Sequence, residues 1–296
     1  MVIVKIMGGL GNQMFQFAAG FATSKKLNTK LFLDLSWFNQ SLNQNNITSR
    51  KFELDKFELG DFILYDLNIL KWVENKENKL KYVLNHLLGR SIHKVTEKHI
   101  EYTEITGNKK KHLYLEGYWQ SHKYFLGNEH EIKSLFLKPV DYFNNENRTI
   151  ADRMRSKNSI AIHIRRGDYV RNIHANSFHG LCSMDYYLNA IDYLVKNNYA
   201  NPNSELFIFS DEIEWVKNNL KVDYNTYYVN HNSSEQAHLD LLLMSQCEHH
   251  ILANSSFSWW GAYLSTSKGK KIAPKSWYAG SSKDTSFMFP EAWIRL

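Results

Sequence analysis

The chain has 296 residues, 43% of them hydrophobic and only four of them proline, a globular composition long enough for one large domain or two of ordinary size. Net charge is +6 but spread along the chain, which suits an anionic small molecule or an acidic membrane surface better than nucleic acid. No run of 18 apolar residues is present, so no spanning helix is expected, and Cys182 and Cys247 have neither zinc spacing nor a disulfide framework, which points to a reducing compartment.

"VIVKIM" (2–7) reads as a first strand, "GGLGNQM" as a glycine-rich turn, and the apolar spacing of Phe15, Ala18, Ala19 and Ala22 as a helix. "KLFLDLS" (30–36) is the next strand, so a β-loop-α-β unit and a parallel sheet are expected. Residues 39–51 are polar and read as a loop, and 66–95 carry a basic amphipathic pattern, read as a surface helix in preference to a membrane-contacting one. "HLYLEGYWQSHKYF" (112–125) reads as a strand turning into a helix, and the polar stretch 138–149 as an interdomain linker. The α/β alternation then repeats. Strands are expected at 159–165, 206–212, 226–230 and 249–254, with helices at 183–198, 213–220 and 234–247 and another opening at "SSFSWWGAYLS". Two Rossmann-like domains, 1–145 and 150–296, are the economical reading. The apolar opening is too short for a secretory leader, so the four N-x-S/T matches at Asn46, Asn147, Asn232 and Asn254 read as chance, as does "RGD" at 166–168.

Three candidate sites lie where strands give way to helices, the ligand-binding edge of an open α/β sheet. At "GGLGNQMF", Gly9 and Gly11 permit close backbone approach, while Asn12 and Gln13 add hydrogen-bonding groups at a helix mouth. A dinucleotide fingerprint fits poorly, because Met14 stands where the third glycine belongs and Asp34 is an imperfect ribose partner. At "HIRRGD", Arg165 and Arg166 alternate faces, so one can grip an anion while the other ties down the structure, with Asp168 as a candidate partner and His163 alongside. A plain salt-bridge cluster is the alternative. At "ANSSFSWWG", Ser255, Ser256 and Ser258 form either a phosphate cradle or a serine N-cap, and Trp259 and Trp260 read as core. Asp211 and Glu212 can hold a ribose or a base edge, or cap the next helix. Asp240 stands in the apolar run "HLDLLLMSQC" and needs an internal cation or a ligand donor. There is no Asp-x-Asp triplet and no His/carboxylate cluster with metal spacing, so no metal or other cofactor is expected.

Taken together, "GGLGNQMFQ", "GYWQSHKYF", "HIRRGDYV", "LFIFSDEIEW" and "DLLLMSQCEHHILANSSFSWWGAYL" resemble the bacterial α-1,2-fucosyltransferases of glycosyltransferase family 11, in family order from residue 8 to residue 264. The H-x-R-R-x-D stretch is shared more widely, with α-1,6- and protein O-fucosyltransferases. The resemblance implies a GT-B fold, two Rossmann-like domains with the active site in the cleft between them. It implies inverting transfer of fucose from GDP-β-L-fucose to the 2-hydroxyl of a terminal galactose, with no required metal. Arg165, Ser256 and the Phe257 backbone would then hold the β-phosphate. His163 and Asp240 would contact guanosine, the Gly9–Gln13 turn would face diphosphate and fucose, and Ser210, Asp211, Asn254 and Ser255 would complete the donor set. Glu116, Asp168 and Asp185 are the candidate bases. The acceptor would be a galactose-terminated oligosaccharide or lipid-linked glycan of bacterial surface polysaccharide or O-antigen. The chain would be the soluble bacterial form, cytoplasmic or peripheral at the inner membrane. Competing readings are a GDP-sugar transferase of another linkage, a nicotinamide-dependent oxidoreductase and a non-catalytic glycan-binding protein.

Overall fold

A computed structural model describes residues 1–41, 50–60, 63–65, 92–97, 101–106, 112–140, 143–155, 158–167, 170, 180–279 and 284–296, in two units, Met1–Val140 and Asp141–Leu296. The first unit is built on β1 (Val2–Lys5), β2 (Leu31–Asp34), β3 (Ile63–Tyr65), β4 (His93–Thr96) and β5 (Leu113–Glu116), all parallel, in the order β3-β2-β1-β5-β4. Val2, Val4 and Leu115 are fully buried, as befits central parallel strands covered on both faces. Helix α1 (Leu10–Lys26) crosses from β1 to β2 and lies close to the sheet: a Cβ on Gly20 would stand 3.0 Å from both Val4 and Leu31. Phe17 of α1 packs edge-on against Phe136 of a helix at Glu129–Phe136, and Phe57 closes the cluster. Each such side chain, removed from water, contributes about 1.5–3 kcal/mol.

The second unit carries β6 (Ser159–Ile164), β7 (Glu205–Ser210), β8 (Asn225–Val229), β9 (His249–Ile251), β10 (Lys271–Ala273) and β11 (Ile294–Arg295), in the order β11-β10-β9-β6-β7-β8, again parallel. Counting the short helix at Ser36–Ser41 as α2 and that at Glu129–Phe136 as α3, its helices are α4 (Asn145–Met154), α5 (Met184–Lys196), α6 (Ile213–Asn219), α7 (Ala237–Met244) and α8 (Ser256–Leu264). Strand alternation divides the core. Ile160, Ile162 and Ile164 pack with Tyr187, Ile191 and Leu194 of α5, while Ala161 packs with Ile150 and Met154 of α4 and Leu243 and Met244 of α7. A Cβ on Gly261 would stand 2.5 Å from the Met244 sulfur, so α7 and α8 meet at a glycine. The two parallel-sheet units give the α/β architecture expected from the sequence.

Three boundaries differ from the sequence reading. Residues 66–91 lie outside the described residues, but His93–Thr96, the end of the expected surface helix, forms edge strand β4. The expected linker 138–149 contains the start of α4, because the Asn144 side chain accepts the Asn147 N–H at 2.8 Å and caps a helix there. The expected loop 39–51 begins inside α2, and 42–49 lie outside the described residues. The short pieces β10 and β11, three and two residues long, have no periodicity to betray them.

Candidate active site

In each sheet the chain order reverses once. It runs β1 to β3 outward on one side of β1 and places β5 on the other. It runs β6 to β8 outward on one side of β6 and places β9 on the other. At such a reversal the loops leaving neighbouring strands part and open a crevice at the carboxyl ends. The loops at these two reversals are "GGLGNQ" with "GYWQ", and "RRGD" with "LANSS".

In the second unit His163 and Arg165 follow Ala161 in alternation. His163 is 5% exposed and packs 5.6 Å from the Phe257 ring, with its Nδ1 buried and without a hydrogen-bond partner among the described residues. Burial and, after it, the nearby Arg165 push its pKa down to about 3, with Asp211 opposing, so the imidazole is neutral. Arg165 Nη1 pairs with Asp211 Oδ2 at 3.1 Å, while Asp211 Oδ1 accepts the Arg166 backbone N–H at 3.0 Å. Asp211, from the end of β7, therefore clamps the end of β6 and aims Arg165. Arg166 goes the other way: its guanidinium lies 3.4 Å from the centre of the Trp215 ring and bonds Glu212 at 3.3 Å. Ser210 Oγ accepts the Glu212 N–H at 3.0 Å and shapes this turn.

Gly167 is explained by the same clamp, since a Cβ there would stand 2.6 Å from Asp211 Oδ2. Gly167→Ala is expected to push Asp211 off Arg165 and to cost about 10- to 100-fold in turnover with little change in melting temperature, checked by steady-state kinetics beside thermal melting. Asp168 lies outside the described residues. Asp185 is exposed in the first turn of α5, where it complements the helix dipole.

At the β9–α8 loop, Ser255 is the N-cap of α8, its Oγ accepting the Phe257 N–H at 3.3 Å, and Ser258 bonds back to Ala253 and Ser255. Ser256 and Phe257 are half-buried in the first turn of α8. Asn254 is 3% exposed and its amide donates to the Gly180 and Trp277 carbonyls at 3.3 and 3.4 Å, so it fixes the loop from behind. Trp259 and Trp260 are fully buried, as expected. Asp240 is half-buried on α7 and accepts one hydrogen bond, from Asn232 Nδ2 at 2.7 Å; no cation pairs with it among the described residues. Burial raises its pKa to about 6, against the opposing Asn232 hydrogen bond.

In the first unit, Gly8 has φ +77° and Gly9 caps α1 with its carbonyl, which accepts from the Asn12 and Gln13 N–H groups. Gly11 is buried in the first turn, and Asn12 Oδ1 accepts from Gln120 Nε2 at 2.7 Å, joining this turn to the GYWQ loop. Gln13, expected to face a ligand, is fully buried. Its amide donates to the Gly8 and Lys51 carbonyls and its oxygen accepts the Glu53 N–H, so it shapes the turn and offers nothing to solvent. Two charged side chains stand at the helix mouth. The Glu53 carboxylate takes the Leu10 N–H, and the Arg50 guanidinium lies 3.9 Å from where a Cβ on Gly9 would stand. A carboxylate and a guanidinium thus share this helix mouth.

Glu116, a candidate base, is held by Lys5 at 2.6 Å and Lys94 at 2.7 Å. Burial alone would raise its pKa, but the two ammonium groups prevail and lower it, the wrong direction for a base near neutrality. Two carboxylates missed in the sequence go the other way. Burial raises Glu53, with Arg50 opposing, and it raises Glu97, whose Oε2 accepts the Tyr118 and Trp119 N–H groups at 2.7 and 3.1 Å. That contact accounts for Gly117, where a Cβ would stand 2.5 Å from that of Glu97, and for Trp119 at φ +54°. Neither glutamate stands in a local pattern; a tight glycine beside "YW" is the available signal. Asp34, the imperfect ribose partner, is spent on the Ser36 N–H at 2.9 Å and the Tyr114 hydroxyl at 2.6 Å, which removes the dinucleotide reading.

The family model described as glycosyl transferase family 11 matches residues 1–296. The chain is 34% identical over 307 residues to an α-1,2-colitosyltransferase of Escherichia coli, covering 100% of this chain and 98% of that one. It is 34% identical over 313 residues to the O-antigen biosynthesis glycosyltransferase WbnK of Escherichia coli, covering 98% and 99%. In three dimensions it is similar to Arabidopsis thaliana FUT1, solved as a point mutant in complex with GDP, at a TM-score of 0.51 and 12% identity, covering 91% of this chain and 69% of that one. This likeness is one of fold, of the GT-B type.

Proposed function

Because the chain belongs to glycosyl transferase family 11, we propose that it transfers L-fucose from GDP-β-L-fucose to the 2-hydroxyl of a terminal galactose, with inversion, in the synthesis of bacterial surface polysaccharide or O-antigen. The observation that carries the donor half is the Arg165–Asp211 pair beside a neutral, buried His163 at the reversal of the second sheet. In this reading the bond from the anomeric carbon to the β-phosphate oxygen breaks as the galactose O2 forms its bond to that carbon, and the hydroxyl proton passes to a carboxylate base or to the departing phosphate. Charge grows on the departing diphosphate, where a guanidinium held in advance by Asp211 stabilises it without reorganisation. The imidazole, uncharged, offers a hydrogen bond to the nucleoside without repelling Arg165. Of the first unit's carboxylates, burial raises the pKa of Glu53 and Glu97, the direction a general base needs, and Glu116 is set aside.

A second donor, colitose, is favoured by the 34% identity to the colitosyltransferase along the whole chain. Colitose lacks only the 3-hydroxyl of fucose, and a site that hydrogen-bonds that hydroxyl discriminates strongly between the two. The test is transfer from GDP-fucose, GDP-colitose and a uridine diphosphate sugar to a panel of β-galactosides, with the new linkage read by NMR. An α-1,2-fucoside supports the first reading, product from GDP-colitose alone replaces it by the second, and product from neither GDP sugar overturns both.

Among the described residues no group of three or more His, Cys, Asp or Glu side chains is placed to hold a metal ion. EDTA is accordingly expected to leave turnover within about twofold of its starting value, Arg165 supplying the charge that a divalent ion supplies elsewhere. Loss of activity restored by Mg²⁺ or Mn²⁺ sinks this. No helix of the described residues is long and apolar enough to cross a membrane. The cytoplasmic side, where sugar nucleotides are made, is the proposed location. The basic stretch weighed as a membrane contact, 66–95, falls almost wholly outside the described residues.

A further inference from the structure

The loop leaving β5 is built like the loop leaving β6, with one difference. In the second unit Asp211, the residue after β7, accepts a loop N–H and stands where a Cβ on Gly167 would fall. In the first unit Glu97, the residue after β4, accepts the Tyr118 and Trp119 N–H groups and stands where a Cβ on Gly117 would fall. Asp211 has both oxygens engaged, one of them by Arg165. Both bonds to Glu97 go to Oε2, so Oε1 is spare, and no cation pairs with the carboxylate among the described residues. The turn beside it is costly. Trp119 sits at φ +54°, a left-handed backbone that bulky residues rarely adopt, and its indole Nε1 is buried without a hydrogen-bond partner among the described residues. Strain of this kind is retained where it positions something. Here it splits two neighbouring aromatic residues. Trp119, 2% exposed, turns inward and packs edge-on against Tyr124, with ring centres 5.2 Å apart, while Tyr118, 44% exposed, turns out to solvent. The Tyr118 phenol stands close enough to Glu97 for that charge, after burial, to raise its pKa.

We propose that the exposed Tyr118 ring and the spare Glu97 oxygen form a subsite for one pyranose of the acceptor glycan, with a preference for galactose. This rests on the reading of the acceptor as a galactoside. A pyranose carries two chemistries at once, C–H bonds across a ring face and hydroxyl groups around its rim. The axial 4-hydroxyl of galactose leaves the C–H bonds of carbons 3, 4 and 5 on one face, and that face packs on an aromatic ring whose π surface is negative. Inverting carbon 4, as in glucose, moves one of those C–H bonds to the other face. A rim hydroxyl then donates to Glu97 Oε1, a charge-assisted hydrogen bond. An apolar surface with a few fixed polar groups is the usual make-up of a small-molecule site. The place fits as well. Glu97 and Tyr118 follow the carboxyl ends of β4 and β5, and Gln120 of the same loop donates to Asn12 of the glycine-rich turn, so the subsite belongs to the ligand-binding edge of the first sheet.

The test is binding of β-galactosides and β-glucosides, each as the methyl glycoside and as a disaccharide with that terminal sugar, to the whole chain with GDP present, read by saturation-transfer NMR titration. Wild type, Tyr118→Ala, Tyr118→Phe and Glu97→Gln are compared, with GDP affinity and melting temperature measured beside them. Tyr118→Ala weakens β-galactoside binding about tenfold and narrows the preference over β-glucosides, while Tyr118→Phe, which keeps the ring, stays within about twofold of wild type. Glu97→Gln keeps an oxygen for the Tyr118 and Trp119 N–H groups yet weakens β-galactoside binding about fivefold or more, because the charged acceptor is gone. GDP affinity and melting temperature hold in both Tyr118 variants. If Glu97→Gln fails to fold, the exposed Tyr118 still decides the matter. Unchanged β-galactoside affinity in a well-folded Tyr118→Ala or Glu97→Gln overturns the subsite and leaves Glu97 a clamp of the loop alone, while the acceptor reading stands on wild-type binding. A wild-type chain that binds no β-galactoside overturns the acceptor reading and this proposal with it.

Discussion

Arg165→Ala is expected to lower turnover by ~10²-fold or more, the usual loss when a charge stabiliser fixed in advance is removed. Asp211 already orients the guanidinium, at 3.1 Å, so the substrate does not have to order it. Arg165→Lys restores only part of the loss, since an ammonium cannot reproduce the planar, two-point grip. The neighbouring Arg166→Ala gives the contrast. Arg166 is stacked on Trp215 and bonded to Glu212, so its loss falls on stability, about 1–2 kcal/mol and a few degrees of melting temperature. Kinetics, GDP affinity and thermal melting of both variants form the test. A well-folded, inactive Arg166→Ala beside a mild Arg165→Ala reverses the assignment. Two mild variants remove the diphosphate from this strand altogether.

Asp240→Asn is expected to weaken GDP binding by about 10-fold or more, the loss of charge-assisted hydrogen bonds, while melting temperature holds or rises at pH 7. The sign follows from the raised pKa. A carboxyl at about 6 in the fold but near 4 when unfolded binds its proton more tightly in the native state. Native stability therefore decreases as pH rises from about 4 through about 6, and above that range the full cost of a buried, uncompensated charge is present. Asparagine removes that cost and keeps an oxygen for Asn232. Unchanged GDP affinity with a large drop in melting temperature would make Asp240 a structural residue.

The alternation of strands and helices is legible because each element carries its own period. So is the opposite facing of Arg165 and Arg166: alternate residues of β6 face different cores, and Arg166 joins the Trp215 side. What stays hidden depends on contacts between distant segments. Asp211 reads alone as a ribose or capping carboxylate, and only the pairing of β6 with β7 shows it holding Arg165. Gln13 reads as ligand-facing when taken as one more polar group in the turn. Its place with Leu10, Met14 and Phe17 on the buried stripe of α1 is the signal that it points inward. Asn147, Asn232 and Asn254, which read as chance glycosylation matches, each use the side-chain amide in hydrogen bonds that close loops or orient a carboxylate. A single-residue match carries no information about burial, so the sequence offers no means of separating them from the exposed asparagines.

The reversal of strand order has a consequence for synthesis on the ribosome. β6 is complete at Ile164, but its neighbour β9 does not begin until His249, and the serine cap of α8 follows at Ser255. A nascent chain that has reached α6 can pair β6 with β7 and assemble the Arg165–Asp211 clamp, yet one wall of the crevice is still missing. The crevice therefore gains its second wall only once Ser255 has emerged, with about a seventh of the polypeptide still to come, through a long loop whose closure entropy must be met before the pairing rewards it. Chains arrested short of Ser255 would carry the arginine clamp without the β9–α8 loop that forms the facing wall.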